Sequence, residues 1–345
     1  RVRAGLENGK DLVHLSRELV TIHCDVPIEF HVEELIRAEL DVDALNKDFQ
    51  DLEMYSLITQ VEALGENGTI IQDTPEKQYQ TVLTLKEVNA MVTQLKNAEM
   101  ISFDLETTSV NALEADIVGL SFSVKANEGY YIPIEYPEKP GDYELTLDSV
   151  LAELKPVFEN KDHRFCGQNI KYDALVLSRY DISIATITFD TMLADYVLHP
   201  EKNSYKMDYL ALDYLKYRMV PIDDLIGTGI HQKSMAEVPL EDISFYAAED
   251  ADIALQLCEK LDGELKKEGL MEPYRDIEIP LVPVLITMEK NGVALDFDFL
   301  AELSQKFGSE LESITGKIHE MAGREFNINS PKQLAEILFD ELELK

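Results

Sequence analysis

Ile101-Ser102-Phe103-Asp104-Leu105-Glu106-Thr107-Thr108-Ser109 is the stretch on which the fold turns. β-Branched and aromatic residues alternate through its first half, so Ile101 to Leu105 reads as a strand. Positions i and i+2 of a strand project to one face. Asp104 and Glu106 therefore share a face, while Phe103 and Leu105 point the other way. Two carboxylates a few ångströms apart repel and raise each other's pKa unless a cation lies between them. Hard oxygen ligands without imidazole or thiolate select Mg²⁺ or Mn²⁺. Taken alone, the pair also has a plainer and commoner origin, a polar strand end meeting solvent.

Outward from this strand, Ile117 to Val124 and Tyr130 to Ile134 are short, close together and rich in β-branched or aromatic residues, which predicts an antiparallel meander. Upstream, Tyr79 to Leu83 reads as a strand and Leu85 to Asn97 as a helix. Downstream come a short strand at Arg164 to Cys166 and helices over 147–158, 170–180, 191–198, 207–215 and 240–267. A meander followed by helices predicts an α/β domain over 79–270, a mixed sheet with surrounding helices. Residues 1–66 read as helices (6–22, 32–40 and 45–64), interrupted at Pro27. The Gly65-Glu66-Asn67-Gly68 cluster opens a linker over 67–78. Residues 274–345 are helical again: 279–290, a turn at Asn291-Gly292, 299–321, and a cap-plus-proline start at Ser330-Pro331.

At 345 residues the chain has room for two or three domains. Hydrophobic residues make up 45% of it, enough to build cores. Lys and Arg number 31 against 66 Asp and Glu, a formal charge of −35. That balance counts against nucleic-acid binding, which depends on basic side chains. The three cysteines, Cys24, Cys166 and Cys258, are far apart with no CxxC pair, which argues against a disulfide framework or a zinc site and fits a reducing cytoplasm. No apolar run is long enough for a membrane span. The sequence starts without Met and stops without a tapering tail, so a fragment of something longer is expected.

Two further pairs carry chemistry. Asn169 and Asp173, in Gly167-Gln168-Asn169-Ile170-Lys171-Tyr172-Asp173, are i and i+4 on one helix face; helix capping by Asn169 beside a solvated Asp173 is the plainer account. Tyr246 and Asp250, in Tyr246-Ala247-Ala248-Glu249-Asp250-Ala251-Asp252, are again i and i+4. A surface turn is a strained account of that helix, because three acids crowd one turn at a cost in stability. The alanines between them would let the helix approach a sheet closely.

The ordered set DxE, NxxxD, YxxxD on strand, helix and helix resembles the DEDDy family of 3′–5′ exonucleases. That resemblance implies a ribonuclease-H-like fold in which four acids hold two divalent metals, Mg²⁺ or Mn²⁺. It implies that Asp104 bridges both metals and that Glu106 and Asp250 complete the site nearer the attacking water. Asp173 would serve the second metal largely through water, and Tyr246 would orient the nucleophile. In-line cleavage of a phosphodiester needs a hydroxide-like nucleophile and a stabilised 3′-oxyanion, and two metals ~4 Å apart provide both.

The same stretches, with Asp190-Thr191-Met192-Leu193-Ala194, resemble the proofreading domain of the bacterial DNA polymerase I family. Ile279-Pro280-Leu281-Val282-Pro283, Glu289-Lys290-Asn291-Gly292-Val293 and Phe326-Asn327-Ile328-Asn329-Ser330-Pro331 are similar to the start of that family's polymerase domain. Ser16-Arg17-Glu18-Leu19-Val20-Thr21-Ile22 with Asp25-Val26-Pro27 is similar to the end of its 5′-nuclease domain. The resemblance implies a substrate of single-stranded DNA 3′ ends or frayed primer termini, acted on by a monomer. It also implies that the 5′-nuclease carboxylates lie upstream and the polymerase metal motifs downstream, so that this stretch neither polymerises nor cuts flaps.

By the same resemblance Thr107, Val110, Asn169 and Tyr172 would contact substrate, Val110 as a wedge against the 3′-terminal base; a core valine is the other account of Val110. Loop 227–233 has only Lys233 where relatives are often lysine-rich, and His231 reads as a solvated loop residue. Two competing functions stay open: a ribonuclease-D-like 3′ exoribonuclease, which shares the motifs, and a non-catalytic spacer.

Overall fold

The computed structural model describes residues 10–22, 41–52, 54, 57, 61 and 77–344, apart from 142, 230 and 231. The chain divides into two compact units, residues 1–73 and 74–345. In the first, α1 (Lys10–Val20) falls within the helix expected over 6–22, and α2 (Val42–Asp51) begins three residues before the stretch expected over 45–64. The helix expected over 32–40, the turn at 65–68, linker residues 67–76, Cys24, the Asp25-Val26-Pro27 stretch and His231 lie outside the described residues.

The second unit begins β1 (Gln78–Thr81), α3 (Leu85–Asn97), β2 (Ile101–Thr107), β3 (Ile117–Lys125), β4 (Glu128–Pro133), α4 (Leu147–Phe158). It continues β5 (Phe165–Gly167), α5 (Ile170–Ser178), β6 (Ile187–Asp190), α6 (Thr191–Leu198), α7 (Met207–Leu210), α8 (Ile222–Ile226), α9 (Leu240–Lys267). The last helices are α10 (Ile279–Asn291), α11 (Phe297–Ala322) and α12 (Pro331–Ala335).

The six strands form one sheet in the order β1-β4-β3-β2-β5-β6. β2, β3 and β4 are the expected antiparallel meander, while β1 joins β4, β5 joins β2 and β6 joins β5 in parallel. β6 was not foreseen: its four residues run without a turn into α6, and Asp190 serves as both last strand residue and helix cap. The two-residue turn Ala126-Asn127 closes the β3–β4 hairpin with Asn127 at φ 66°, a conformation that asparagine tolerates.

One face of the sheet buries Phe103, Phe122 and Phe165 against α3, α4 and α5, with Phe158 of α4 packed among them. The Phe103 ring meets Phe158 and Phe165 edge-on, with centroids 5.2 and 5.8 Å apart, a favoured arrangement of aromatic quadrupoles. The start of α3 is fixed by a capping box: Thr84 Oγ1 accepts the Glu87 N–H at 3.3 Å, and Glu87 Oε2 accepts the Thr84 N–H at 3.0 Å. The other face is covered by α9, which buries Ile243, Ala247, Ala248, Ala251 and Ala254. α10 lies beside α5: the Lys171 ammonium pairs with Glu289, and Lys290 Nζ donates to Ser178 O at 3.3 Å.

Candidate active site

Alternation along β2 sends Phe103 and Leu105 into the phenylalanine core and leaves Asp104 and Glu106 on the face under α9. In the register across β3, Asp104 opposes Ser121 and Glu106 opposes Gly119. Ser121 Oγ donates to Asp104 O at 3.3 Å. Small residues on this face let the helix settle onto the strands. A Cβ at Gly129 of β4 would come within 2.7 Å of the Ala248 carbonyl oxygen of α9. The alanine spacing expected to permit close approach does so.

On α9, Tyr246 and Asp250 lie one turn apart and reach the same site. Asp104, Glu106 and Asp250 each offer a carboxylate oxygen within 4.8 Å of the others. Asp173 on α5 lines the same cavity, outside that 4.8 Å group, and its Oδ1 accepts the Leu105 N–H at 3.3 Å. The cavity holds about 510 Å³ and also takes in Gln168, Asn169, Tyr172, Tyr205, Lys206 and Tyr246, a size that suits a small-molecule or nucleotide ligand.

The three acids crowded on one turn of α9 turn out to serve different places. Glu249 accepts from Tyr217 Oη at 2.5 Å and from the Val220 N–H at 2.8 Å. Asp252, wholly buried, accepts from Lys77 Nζ at 2.7 Å, Tyr79 Oη at 2.8 Å, the Asn127 N–H at 2.7 Å and Gln256 Nε2 at 2.8 Å. Only Asp250 of the three lines the cavity.

Capping does not explain Asn169. It sits in the left-handed region at φ 53° with no side-chain cap bond. The α5 start is capped instead by Asp190, whose carboxylate accepts the N–H groups of Asn169 at 3.3 Å, Ile170 at 2.9 Å and, in α6, Leu193 at 3.1 Å. The Asn169 side chain is thus spared for the cavity. Thr107 Oγ1 and Tyr172 Oη lie 2.6 Å apart and both reach Ser109 O, so that their two hydroxyl protons are shared among the three oxygens, which pins the turn after β2. Val110, the next residue, is 98% exposed, so the core reading of it is overturned. Gln168 and the loop residues Asn203 to Lys206 were not foreseen. That loop has neither periodicity nor a motif, whereas Gln168 adjoins the recognised Asn169.

Burial dominates the electrostatics. It pushes the Asp104 carboxyl up to about 6, and Glu106, Asp173 and Asp250 well above the usual carboxylate range, with the Asp104 charge adding to each of those three. Burial, then the neighbouring Asp250 charge, raises the Tyr246 hydroxyl, which stays protonated. Among the described residues, Glu106 Oε1 and Asp250 Oδ1 are buried without a hydrogen-bond partner. Such orphans cost about 1–3 kcal/mol each, and a cation bound among them would supply the missing partner. The all-oxygen donor set fits a hard divalent ion.

The model of the 3′-5′ exonuclease family matches residues 79–266, more than half of the chain. The chain belongs to that family. This exonuclease is metal-dependent by kind, has the acidic cluster such chemistry requires, and has an α/β, ribonuclease-H-like fold. Residues 297–345 match the model of DNA polymerase family A. DNA polymerase I of Pseudomonas aeruginosa is 36% identical over 99% of this exonuclease and 38% of its own length. DNA polymerase I of Chloroflexus aurantiacus is 31% identical over 99% and 39%, and that of Bacillus subtilis 30% identical over 100% and 37%. The chain therefore spans less than two fifths of the length of these relatives. In fold it is similar to the POL domain of Pol1 from M. smegmatis in complex with DNA primer-template and dNTP, with a TM-score of 0.60, 23% identity, and coverage of 77% of this chain and 41% of that one. Among the described residues, no helix is long and apolar enough to cross a membrane.

Proposed function

We propose that this chain is the proofreading portion of a bacterial DNA polymerase I, hydrolysing the 3′-terminal phosphodiester of DNA and releasing 5′-mononucleotides. The observation that carries the reading is the convergence of Asp104, Glu106 and Asp250 within 4.8 Å, with Glu106 Oε1 and Asp250 Oδ1 buried and unbonded among the described residues. Asp104, Glu106, Asp173 and Asp250 would hold two divalent cations, Mg²⁺ or Mn²⁺. When bound, such a pair activates a water and stabilises the departing 3′-oxygen. Tyr246, kept protonated by its surroundings, orients the water without competing as an anionic ligand.

Thr107, Asn169 and Tyr172 take the terminal nucleotide, and Val110, exposed on the pinned turn, meets its base. Lys206, the one Lys or Arg lining the cavity among the described residues, faces the substrate phosphates. The exonuclease domain occupies 79–270 between the end of a 5′-nuclease region (1–66, with its linker 67–78) and the start of a polymerase domain (274–345). The match of 297–345 to family A polymerases favours this arrangement over a ribonuclease-D-like one. The protein acts as a monomer in the cytoplasm, where buried Cys166 and Cys258 stay as free thiols.

The test is a 5′-labelled oligonucleotide, offered as single-stranded DNA and as RNA, in Mg²⁺ and in EDTA. Stepwise shortening of DNA that stops in EDTA and in Asp104→Ala is expected. An intact DNA band in Mg²⁺ would sink the reading, and faster loss of RNA would replace it with the exoribonuclease.

A further inference from the structure

Tyr131 of β4 is wholly buried under α9, and its hydroxyl has no hydrogen-bond partner among the described residues. A buried phenol ordinarily places its O–H on an acceptor. Tyr131 pairs in register with Ser121 of β3, two residues from Gly119. A Cβ on Gly119 would collide with the Tyr131 ring and hydroxyl, so the phenol occupies the space that the glycine leaves open. Gly119 in turn lies directly opposite Glu106. Opposed residues of an antiparallel pair carry their side chains on one face, with Cβ positions ~4.5–5.5 Å apart. The Tyr131 hydroxyl and the Glu106 carboxylate therefore share one dry compartment between the sheet and α9.

Each is the complement of what the other lacks. Tyr131 has a donor without an acceptor, and Glu106 Oε1 is an acceptor without a donor. Tyr143 Oη donates to Pro133 O at 2.9 Å, and the packing neighbours of the phenol include Val118, Ile243, Ala247 and Ala248.

We propose that Tyr131 is a positioning residue for Glu106: when a cation draws on the Glu106 carboxylate, the Tyr131 hydroxyl, unbonded in this structure, donates to one of its oxygens, so that the other is turned towards the cation site. The inference rests on the metal-dependent reading above. Hydrogen bonds of this kind, from outside the ligand set, fix ligand orientation in metal sites, and losing one costs about 10–100-fold in affinity or activity.

The experiment uses the whole chain in four forms: wild type, Tyr131→Phe, Glu106→Ala and the double variant. Mn²⁺ binding is followed by calorimetry and by the spin resonance of free Mn²⁺, and exonuclease kinetics on single-stranded DNA are measured in parallel. The expected result for Tyr131→Phe is about tenfold weaker binding of one Mn²⁺. The kcat should fall in step while KM for DNA and the melting temperature in EDTA hold at wild-type values. In the Glu106→Ala background the second substitution should change nothing. Wild-type Mn²⁺ affinity in Tyr131→Phe would overturn the proposal, and so would an equal loss with and without Glu106. Asp104→Ala separates the two levels. If it loses Mn²⁺ while Tyr131→Phe binds normally, only the role of Tyr131 falls; a wild-type chain that binds no Mn²⁺ removes both readings.

Discussion

Asp104 sits at the centre of the carboxylate group: the other three acids all feel its charge. Asp104→Ala should lower the rate of nucleotide release by at least about 10²–10³-fold, the loss that follows removal of one electrostatic stabiliser, measured by quench-flow on labelled DNA. Asp190 gives a stability prediction away from the chemistry. Burial holds its carboxyl up at about 6, against an ordinary 3.8, despite the backbone N–H groups that pull it down. Because the folded value is the higher one, the stabilisation is complete below about pH 4 and is lost as pH rises through 6. In EDTA, the stability of wild type relative to Asp190→Asn should therefore fall by on the order of 1–3 kcal/mol between pH 4 and 7; urea melts that stay parallel over that range would refute it. The residues legible in the sequence were those with geometric periodicity: Asp104 with Glu106 at i and i+2, Tyr246 with Asp250 at i and i+4. Asn169 was ambiguous because its competing cap role is taken by Asp190, a residue 21 positions away that no local pattern connects to it. Lys206 was not legible, since a loop lysine becomes part of a cavity only through tertiary folding.

At the scale of elements, the decisive contact is α9 on the sheet. Gly129→Ala should push the Ala248 backbone away, costing about 1–3 kcal/mol as overpacking does. Because Asp250 and Tyr246 ride on the same helix, exonuclease rate should fall further than the melting temperature alone explains. Wild-type activity in a folded Gly129→Ala variant would show that the close approach is dispensable. Helices with a cap or a long apolar stripe were readable to the residue: 85–97, 147–158, 191–198 and 240–267 appear where the periodicity put them. The meander was readable because alternation survives in β2 and β3. β6 was not, because four residues joined directly to a helix offer no turn signal. Nor was the π-helical turn Ala211–Leu215, which continues the apolar spacing of α7 while changing its hydrogen bonding.

For the whole molecule, the formal charge of −35 sets the terms of any encounter with DNA. With Lys206 the one Lys or Arg among the described residues lining the cavity, few phosphates are neutralised by the protein itself. Binding of single-stranded DNA to the inactive Asp104→Ala chain should therefore depend weakly on salt, with a log–log slope of about −0.7 to −1.5. Lys206→Ala should flatten it. A slope steeper than about −3 by fluorescence anisotropy would mean that cations elsewhere carry the strand. On the proposed function, composition is a poor guide to partner, because the acids that weigh against DNA would include the ones that hold the cations. The three acids of α9 have one more consequence. With 3.6 residues to the turn, Glu249, Asp250 and Asp252 leave the helix in different directions, and two of them are moored to the Val220 and Asn127 backbones. A helix tethered on several sides cannot roll about its axis without breaking those ties together. Its amides should exchange with solvent only when the domain opens as a whole. On the proposed function, the helix that carries Tyr246 and Asp250 would hold still from one cut to the next while the strand advances.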